Sequence, residues 1–254
     1  MNTSPNFWRN FFAVFKREFF SYFNSPLAYI ILIIFLLLAQ GFTFFFGKFL
    51  ENDNAALTEA FFTYHPWIYM VLAPAVGMRL WSEEHRLGTF ELIMTMPVTP
   101  WQTILGKFVA ASVVWFIALL CTFPIVVTVG YLGHPDFGPI VSAYLASYLY
   151  AICCLAITCA ISAFTRSQVI CLIISVAICL LLTLLGTQQV VDGMVKAFPG
   201  WTEGAIRFVA YLCLMTHFYD LSKGLVLFKD LLYFLSIIIV SLSVTAWALQ
   251  VKRA

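Results

Sequence analysis

The chain has 254 residues, of which 62% are hydrophobic, 17% aromatic and only 10% charged. A soluble domain carries about a quarter charged residues, so this composition excludes a water-solvated fold and makes the bilayer the solvent. The net charge of +2, without a basic run, gives no electrostatic footprint for nucleic acid.

At about 100° per residue, Trp8, Phe11, Phe12, Phe15, Phe19, Tyr22 and Phe23 fall on one helical face and Arg9, Asn10, Lys16 and Arg17 on the other. Residues 1–25 are therefore expected as an N-terminal amphipathic interfacial helix, with rings in the headgroup boundary and cations toward anionic lipid. Ser25-Pro26 ends it, because the residue before a proline is pushed out of the helical region. Apolar stretches of roughly 20 residues, the length that crosses a bilayer at 1.5 Å per residue, then recur along the chain. They predict an all-α membrane protein with six transmembrane helices, at residues 27–46, 61–80, 108–131, 140–164, 169–185 and 231–250. Barrel strands would alternate over about ten residues, a pattern absent here. The first stretch is too long for a signal-peptide core and lacks an Ala-x-Ala site after it, so it is expected to stay as an anchor.

Lys and Arg in the connections set the orientation. Arg9, Lys16 and Arg17 precede the first span; Arg79, Arg86 and Lys107 fall in the second connection, Arg166 in the fourth, Lys252 and Arg253 in the tail. The first connection has Lys48 against Glu51, Asp53 and Glu59, and the third has no Lys or Arg. Both termini are expected in the cytoplasm. Residues 190–228 are expected on the outer side; within them 205–219 is apolar but short and holds Arg207 and His217, which favours an interfacial or re-entrant piece over a seventh span.

Pro66 and Pro74 are expected to kink the second span and Pro124 the third. Ala143, Ser147 and Ala151 make a small-residue stripe that suits close helix packing, within one subunit or across a dimer alike. The seven cysteines, Cys121, Cys153, Cys154, Cys159, Cys171, Cys179 and Cys213, lie in apolar segments without zinc-site spacing and read as reduced core-fillers. Gln40, His65, Gln168 and His217 are expected to hydrogen-bond neighbouring helices. The span interiors hold no charge, so no proton relay is expected and the energy for any transport comes from outside the chain.

The second connection reads Trp81-Ser82-Glu83-Glu84-His85-Arg86-Leu87-Gly88-Thr89-Phe90-Glu91-Leu92-Ile93-Met94-Thr95-Met96-Pro97. A cytoplasmic helix over 82–96 is expected: Ser82 caps it, Glu83 and Glu84 occupy the first turn, where carboxylates suit the dipole, and Pro97 ends it. Leu87, Phe90 and Met94 share one face, and Glu84, Gly88, Glu91 and Thr95 another. Two readings fit, a solvated surface helix and a docking helix in which Gly88 allows close approach while the carboxylates meet a partner's cations. Catalytic motifs are missing. Glu84-His85 is no His-Glu-x-x-His zinc helix, and Gly133 to Gly138 runs on as Pro139-Ile140 rather than Lys-Ser or Lys-Thr, so it is no phosphate loop. The chain itself is expected to hydrolyse no nucleotide and to hold no metal or cofactor.

Across nearly its whole length the sequence resembles the membrane subunits of type-2 ABC exporters, especially the permease of gliding-motility-associated ABC transporters. The resemblance rests on Lys16-Arg17-Glu18-Phe19 through Tyr22-Phe23-Asn24-Ser25-Pro26, on Met78-Arg79-Leu80-Trp81-Ser82-Glu83-Glu84 followed by Arg86-Leu87-Gly88-Thr89-Phe90-Glu91-Leu92, and on Pro97-Val98 leading to Leu105-Gly106-Lys107-Phe108. His217-Phe218, Lys223-Gly224 and Lys229-Asp230-Leu231-Leu232-Tyr233 add to it near the end. It implies six spans in a bacterial inner membrane, with an amphipathic connecting helix and a coupling helix. It also implies two such permeases, identical or related, bound to two cytoplasmic ATP-binding subunits that hold ATP and Mg. By motif position, Glu83, Glu84, Arg86, Gly88, Thr89 and Glu91 would form the coupling helix, and Arg9, Lys16, Arg17 and Glu18 would belong to the connecting helix. Membrane lipid is the surrounding partner, and an extracytoplasmic accessory protein is left open. A non-transporting scaffold that anchors or regulates an ATPase would share the docking helix. A membrane-embedded enzyme would need a convergent nucleophile or acid-base pair, and only scattered Ser and His are present.

Overall fold

The computed structural model describes residues 7–47, 57–91, 98–133, 135–197, 203–224 and 227–252, and every element within them is helical. Helix α1 (Phe7–Asn24) gives way at Ser25, whose backbone is extended and whose Oγ accepts the Leu27 N–H at 3.3 Å. Helix α2 (Pro26–Phe45) starts on its proline, where no backbone bond is lost. It buries Ala28, Ile31, Phe35, Ala39 and Thr43 at helical spacing and leaves Tyr29, Ile30, Ile33 and Leu37 facing out.

Residues 61–80 do not form one helix. The chain runs through α3 (Leu57–Ala60), a 3-10 turn (Phe62–Tyr64), α4 (His65–Gly77) and α5 (Arg79–Leu87). Pro66 lies in the first turn of α4, where it opens the helix instead of kinking it, and Pro74 alone is internal. The expected cap is also corrected. Met78 keeps helical angles, so α5 begins at Arg79, and Ser82 is buried inside it with its hydroxyl donating to the Met78 carbonyl. The single helix expected over 82–96 is interrupted at Gly88, which takes the left-handed conformation (φ 71°), before helical backbone resumes at Phe90. Residues 92–97, with Met94, Thr95 and Pro97, lie outside the described residues.

Helix α6 (Pro100–Leu120) begins well before the span expected at 108, because Thr99 and Gln102 make a reciprocal capping box. It breaks at Cys121-Thr122, and Pro124 stands in the first turn of α7 (Phe123–Leu132). Thr122 Oγ1 donates to the Leu119 carbonyl at 2.6 Å and accepts from Tyr144 Oη at 3.0 Å, so the break is pinned to α8 (Phe137–Phe164). An apolar groove of about 500 Å³ lies there, walled by Phe116, Phe123, Ile140, Tyr144 and Tyr148.

After α9 (Gln168–Leu184), the short helices α10 (Gln188–Ala197), α11 (Glu203–Tyr211) and α12 (Leu214–Ser222) precede α13 (Phe228–Val251). Residues 205–219 form no continuous helix, since Cys213 is extended between α11 and α12. Among the described residues, four segments are long and apolar enough to cross a membrane: Pro26–Phe45, Pro100–Tyr131, Phe137–Phe164 and Phe228–Val251. Gln168–Leu184 and Gln188–Lys196, bent by 86°, make a fifth if they count as one broken span.

Helix α8 is the hub, with α4, α5, α6, α9, α12 and α13 packed on it. Lipid tails are as apolar as side chains, so such packing relies on close fit and internal hydrogen bonds. Ala143, Ser147 and Ala151 are all fully buried within the subunit, and Ser147 Oγ lies 3.0 Å from His65 Nδ1 on α4. A Cβ at Gly77 would come within 2.9 Å of Thr158, so glycine sets the distance between α4 and α8. Tyr150 Oη donates to Thr183 Oγ1 at 2.6 Å, joining α8 to α9. The stretches expected as spans at 108–131 and 231–250 hold no charge, but the observed helices extend upstream of them and take in two buried titratable residues, Lys107 inside α6 and Asp230 in the first turn of α13. The capping box of Thr99 and Gln102 starts α6 upstream of the purely apolar run, which draws Lys107 in.

Candidate functional site

Charged side chains from α1, α5 and α6 converge around Lys107. A buried ammonium is costly unless paired. Lys107 Nζ is 2.6 Å from Glu84 Oε1 and 3.1 Å from Glu18 Oε1, and it lies 5.4 Å from the centre of the Trp81 ring. Arg17 Nη2 meets Glu18 Oε1 at 2.6 Å and comes within 4.0 Å of Glu84 Oε1. Two cations thus face two carboxylates, with Arg17 and Glu18 on α1, Glu84 on α5 and Lys107 on α6. Glu84 Oε2 is buried without a hydrogen-bond partner among the described residues.

A second tie runs to the α1–α2 joint. Arg79 forks onto Glu83 through Nε at 2.7 Å and Nη2 at 3.2 Å, and its Nη1 donates to Ser25 Oγ at 3.1 Å. Helix α1 also lies directly on α6: a Cβ at Gly106 would sit 2.8 Å from Val14 Cγ1, and Gln102 Nε2 donates to the Phe7 carbonyl at 3.4 Å. Phe11, Phe15 and Phe19 stack along the half-buried side of α1, while Trp8 and Phe12 are exposed.

The two carboxylates titrate apart. Burial alone would raise Glu18, but Lys107 and Arg17 outweigh it and hold the carboxyl below its ordinary range. For Glu84, farther from Arg17 and beside the Glu18 charge, burial dominates and pushes the carboxyl up.

The far end of α13 joins the same region. Lys252 Nζ donates to the Ala163 and Phe164 carbonyls at 2.7 and 3.2 Å, capping the C-terminus of α8, and lies 3.5 Å from His85 Nε2 on α5. Burial lowers His85, and the Lys252 charge adds to that. Burial and Arg166 lower Lys252.

Of the residues assigned to docking, Glu83 and Glu84 are turned into these networks and do not present free carboxylates. Arg86, Gly88 and Glu91 are exposed, as is Leu87, and Thr89 is half-buried with its N–H on the Glu84 carbonyl at 3.1 Å. On α1, Arg9 and Lys16 are exposed, whereas Arg17 and Glu18 belong to the Lys107 cluster. The structure adds Lys107, Arg79, Trp81, His85 and Lys252. One signal was available in the sequence: Lys107 is the sole Lys, Arg, Asp or Glu between Glu91 and Asp136, at the edge of an apolar run. Among the described residues no group of three His, Cys, Asp or Glu side chains is placed to hold a metal ion.

Among the described residues, four or five membrane-length helical segments, the central α8 being one of them, with charge gathered where α1, α5 and α6 meet, define a multi-pass helical membrane protein. Residues 12–251 match the ABC-2 family transporter protein family, and the chain belongs to it. It is thus an ABC-2 type permease, a membrane transport component of the ABC transporter class. No curated protein matches the chain.

Proposed function

We propose that this chain is half of an ATP-binding-cassette exporter, closest to the gliding-motility-associated permeases, and that its exposed turn at residues 86–91 receives a separate ATP-binding subunit. Two permeases, this chain with a second copy or a relative, would carry two ATP-binding subunits that hold ATP and Mg. The observation that carries the reading is the Lys107 cluster, which binds the helix behind that turn to α1 and α6 at once. A push on residues 86–91 is then shared by three helices. The exposed Arg86 and Glu91 supply charges for the partner, Leu87 supplies an apolar contact, and Glu83 and Glu84 position the turn rather than touch the partner. The reading includes six spans, with residues 61–80 crossing as the broken second one, in a bacterial inner membrane with both termini cytoplasmic. The gathering of α1, α5 and Lys252 at one end supports that orientation. ATP-driven closure would rock the spans between two packings, and the break at Cys121-Thr122 is suited to absorb part of the motion.

The test is affinity purification in mild detergent with mass spectrometry, on wild type and on Arg86→Glu with Glu91→Arg. An ATP-binding subunit should co-purify in equal amount with wild type and be lost with the double reversal, the permease remaining folded. Recovery of no nucleotide-binding protein, even after cross-linking, removes the exporter's energy source and sinks the proposal. Co-purification without ATP-dependent transport in reconstituted vesicles would favour the scaffold.

A further inference from the structure

His217 and Asp230 sit in two of the stretches that carry the family resemblance, and neither takes part in the docking site. They lie near the opposite end of α13 from Lys252, roughly 33 Å away at 1.5 Å per residue. His217 Nδ1 is 2.6 Å from Asp230 Oδ1, and both residues are buried, Asp230 at 0% exposure. The other ring nitrogen, Nε2, lies 3.0 Å from the Tyr211 carbonyl. Tyr233 stacks on the imidazole at 3.9 Å between centroids, Tyr211 meets it edge-on at 4.7 Å, and Tyr233 Oη donates to the Leu212 carbonyl at 2.6 Å. Asp230 Oδ2 is buried without a hydrogen-bond partner among the described residues.

These contacts fix a proton count. A carbonyl only accepts, so Nε2 carries a hydrogen. The short Nδ1 to Oδ1 contact then needs a second proton, carried as imidazolium against carboxylate or as carboxylic acid against neutral imidazole. Either arrangement is neutral overall. Without that proton a ring lone pair would face a carboxylate whose other oxygen is buried without a hydrogen-bond partner among the described residues, an arrangement that burial makes costly.

We propose that His217 and Asp230 form a proton-binding site, one proton held between Nδ1 and Oδ1, and that this proton latches α11 and α12 onto the start of α13. The residues tied by it come from all three helices: Tyr211 and Leu212 from the end of α11, His217 from α12, Asp230 and Tyr233 from α13. The titratable neighbours are Tyr211, Tyr233, Cys213 and, from α8, Cys153. The half-exposed Asp220 and Lys229 pair with each other at 3.8 Å one layer out. Helix α9 contributes the Thr183 carbonyl, which accepts from Cys213 Sγ at 3.1 Å. Proton loss releases the latch and uncovers Cys213, the fully buried residue between α11 and α12.

Cys213 is therefore the reporter. The permease in detergent is labelled with N-ethylmaleimide over a pH series, and labelling at Cys213 is read by peptide mass spectrometry for wild type and Asp230→Asn. In the variant an amide N–H replaces the shared proton, so the latch has no such proton to lose. The wild-type rate divided by the variant rate cancels ordinary thiol ionisation. That ratio should rise with pH, by up to about tenfold per unit for one linked proton; a flat ratio overturns the latch. Nitrogen NMR of labelled histidine in wild type gives a reading that needs no variant. One of the four histidines should show both ring nitrogens moved from the bare-nitrogen position. Four rings each with one free bare nitrogen would overturn the shared proton.

Discussion

Lys107 shows how much one buried charge can organise. Its ammonium has two carboxylates within 3.1 Å, and the fields at those carboxylates differ enough to send their titrations in opposite directions. Glu18 is held low, so its contribution to stability is present above the unfolded carboxyl value and is lost as pH falls through the folded one. Glu84 is raised, so its contribution is present at acid pH and is lost as pH rises through its folded value. Thermal unfolding in detergent at a series of pH values should separate them. The midpoint gap between wild type and Glu18→Gln should widen from acid to neutral pH, and the gap for Glu84→Gln should narrow; parallel trends would contradict the assigned fields. The sequence carried part of this. Arg17, Glu18 and Glu84 stand out by motif position, but Lys107 reads as a connection charge, because the capping box that draws it into α6 starts nine residues before the apolar run. His217 was legible as a polar group near a helix. Its partner Asp230 was not, since only the fold joins α12 to α13.

At the scale of elements, periodicity served well where a helix is long and unbroken and poorly where turn chemistry intervenes. The bounds expected for α2, α8 and α13 lie within a few residues of those observed. Residues 61–80 do not form the single helix expected there, because a 3-10 turn and Pro66 start α4 afresh while hydropathy runs on without a mark. Helix α1 needed another clue. Its ring pattern gave one face, but its seat on α6 depends on Gly106, whose missing side chain leaves room for Val14 and the Phe15 backbone. Gly106→Leu should therefore lift α1 from α6, with an overpacking cost of about 1–3 kcal/mol. Hydrogen exchange by mass spectrometry is the measurement. Amides of α1 should lose protection while those of α8 keep theirs, and an unchanged α1 would mean that the cluster around Lys107, not close packing, holds it.

For the whole molecule, the decisive arrangement is that α5, which leads into the turn proposed to receive the ATP-binding subunit, is tied both to the N-terminal helix and to the end of α13. Through Glu84 it reaches Lys107 and α1; through His85 it reaches Lys252 at the end of α13, which in turn caps α8. On the proposed function, a displacement of α5 would be passed to the hub helix and α13 together with the N-terminal helix. Docking and transmission are separable on this plan, because Arg86 and Glu91 face outward while Lys252 faces the carbonyls of α8. Lys252→Met keeps the apolar stem and removes the charge. It should leave the ATP-binding subunit bound, in contrast to reversal of Arg86 and Glu91, yet lower ATP-driven transport by roughly fivefold, the equivalent of about 1 kcal/mol of lost coupling. The fall should be specific to coupling, so ATP hydrolysis by the complex should persist while transport per ATP drops. If Lys252→Met instead releases the ATP-binding subunit, Lys252 is part of the landing surface. If transport is unchanged, the force enters the bundle through Lys107 alone, and the tie between α13 and α8 is only a helix cap.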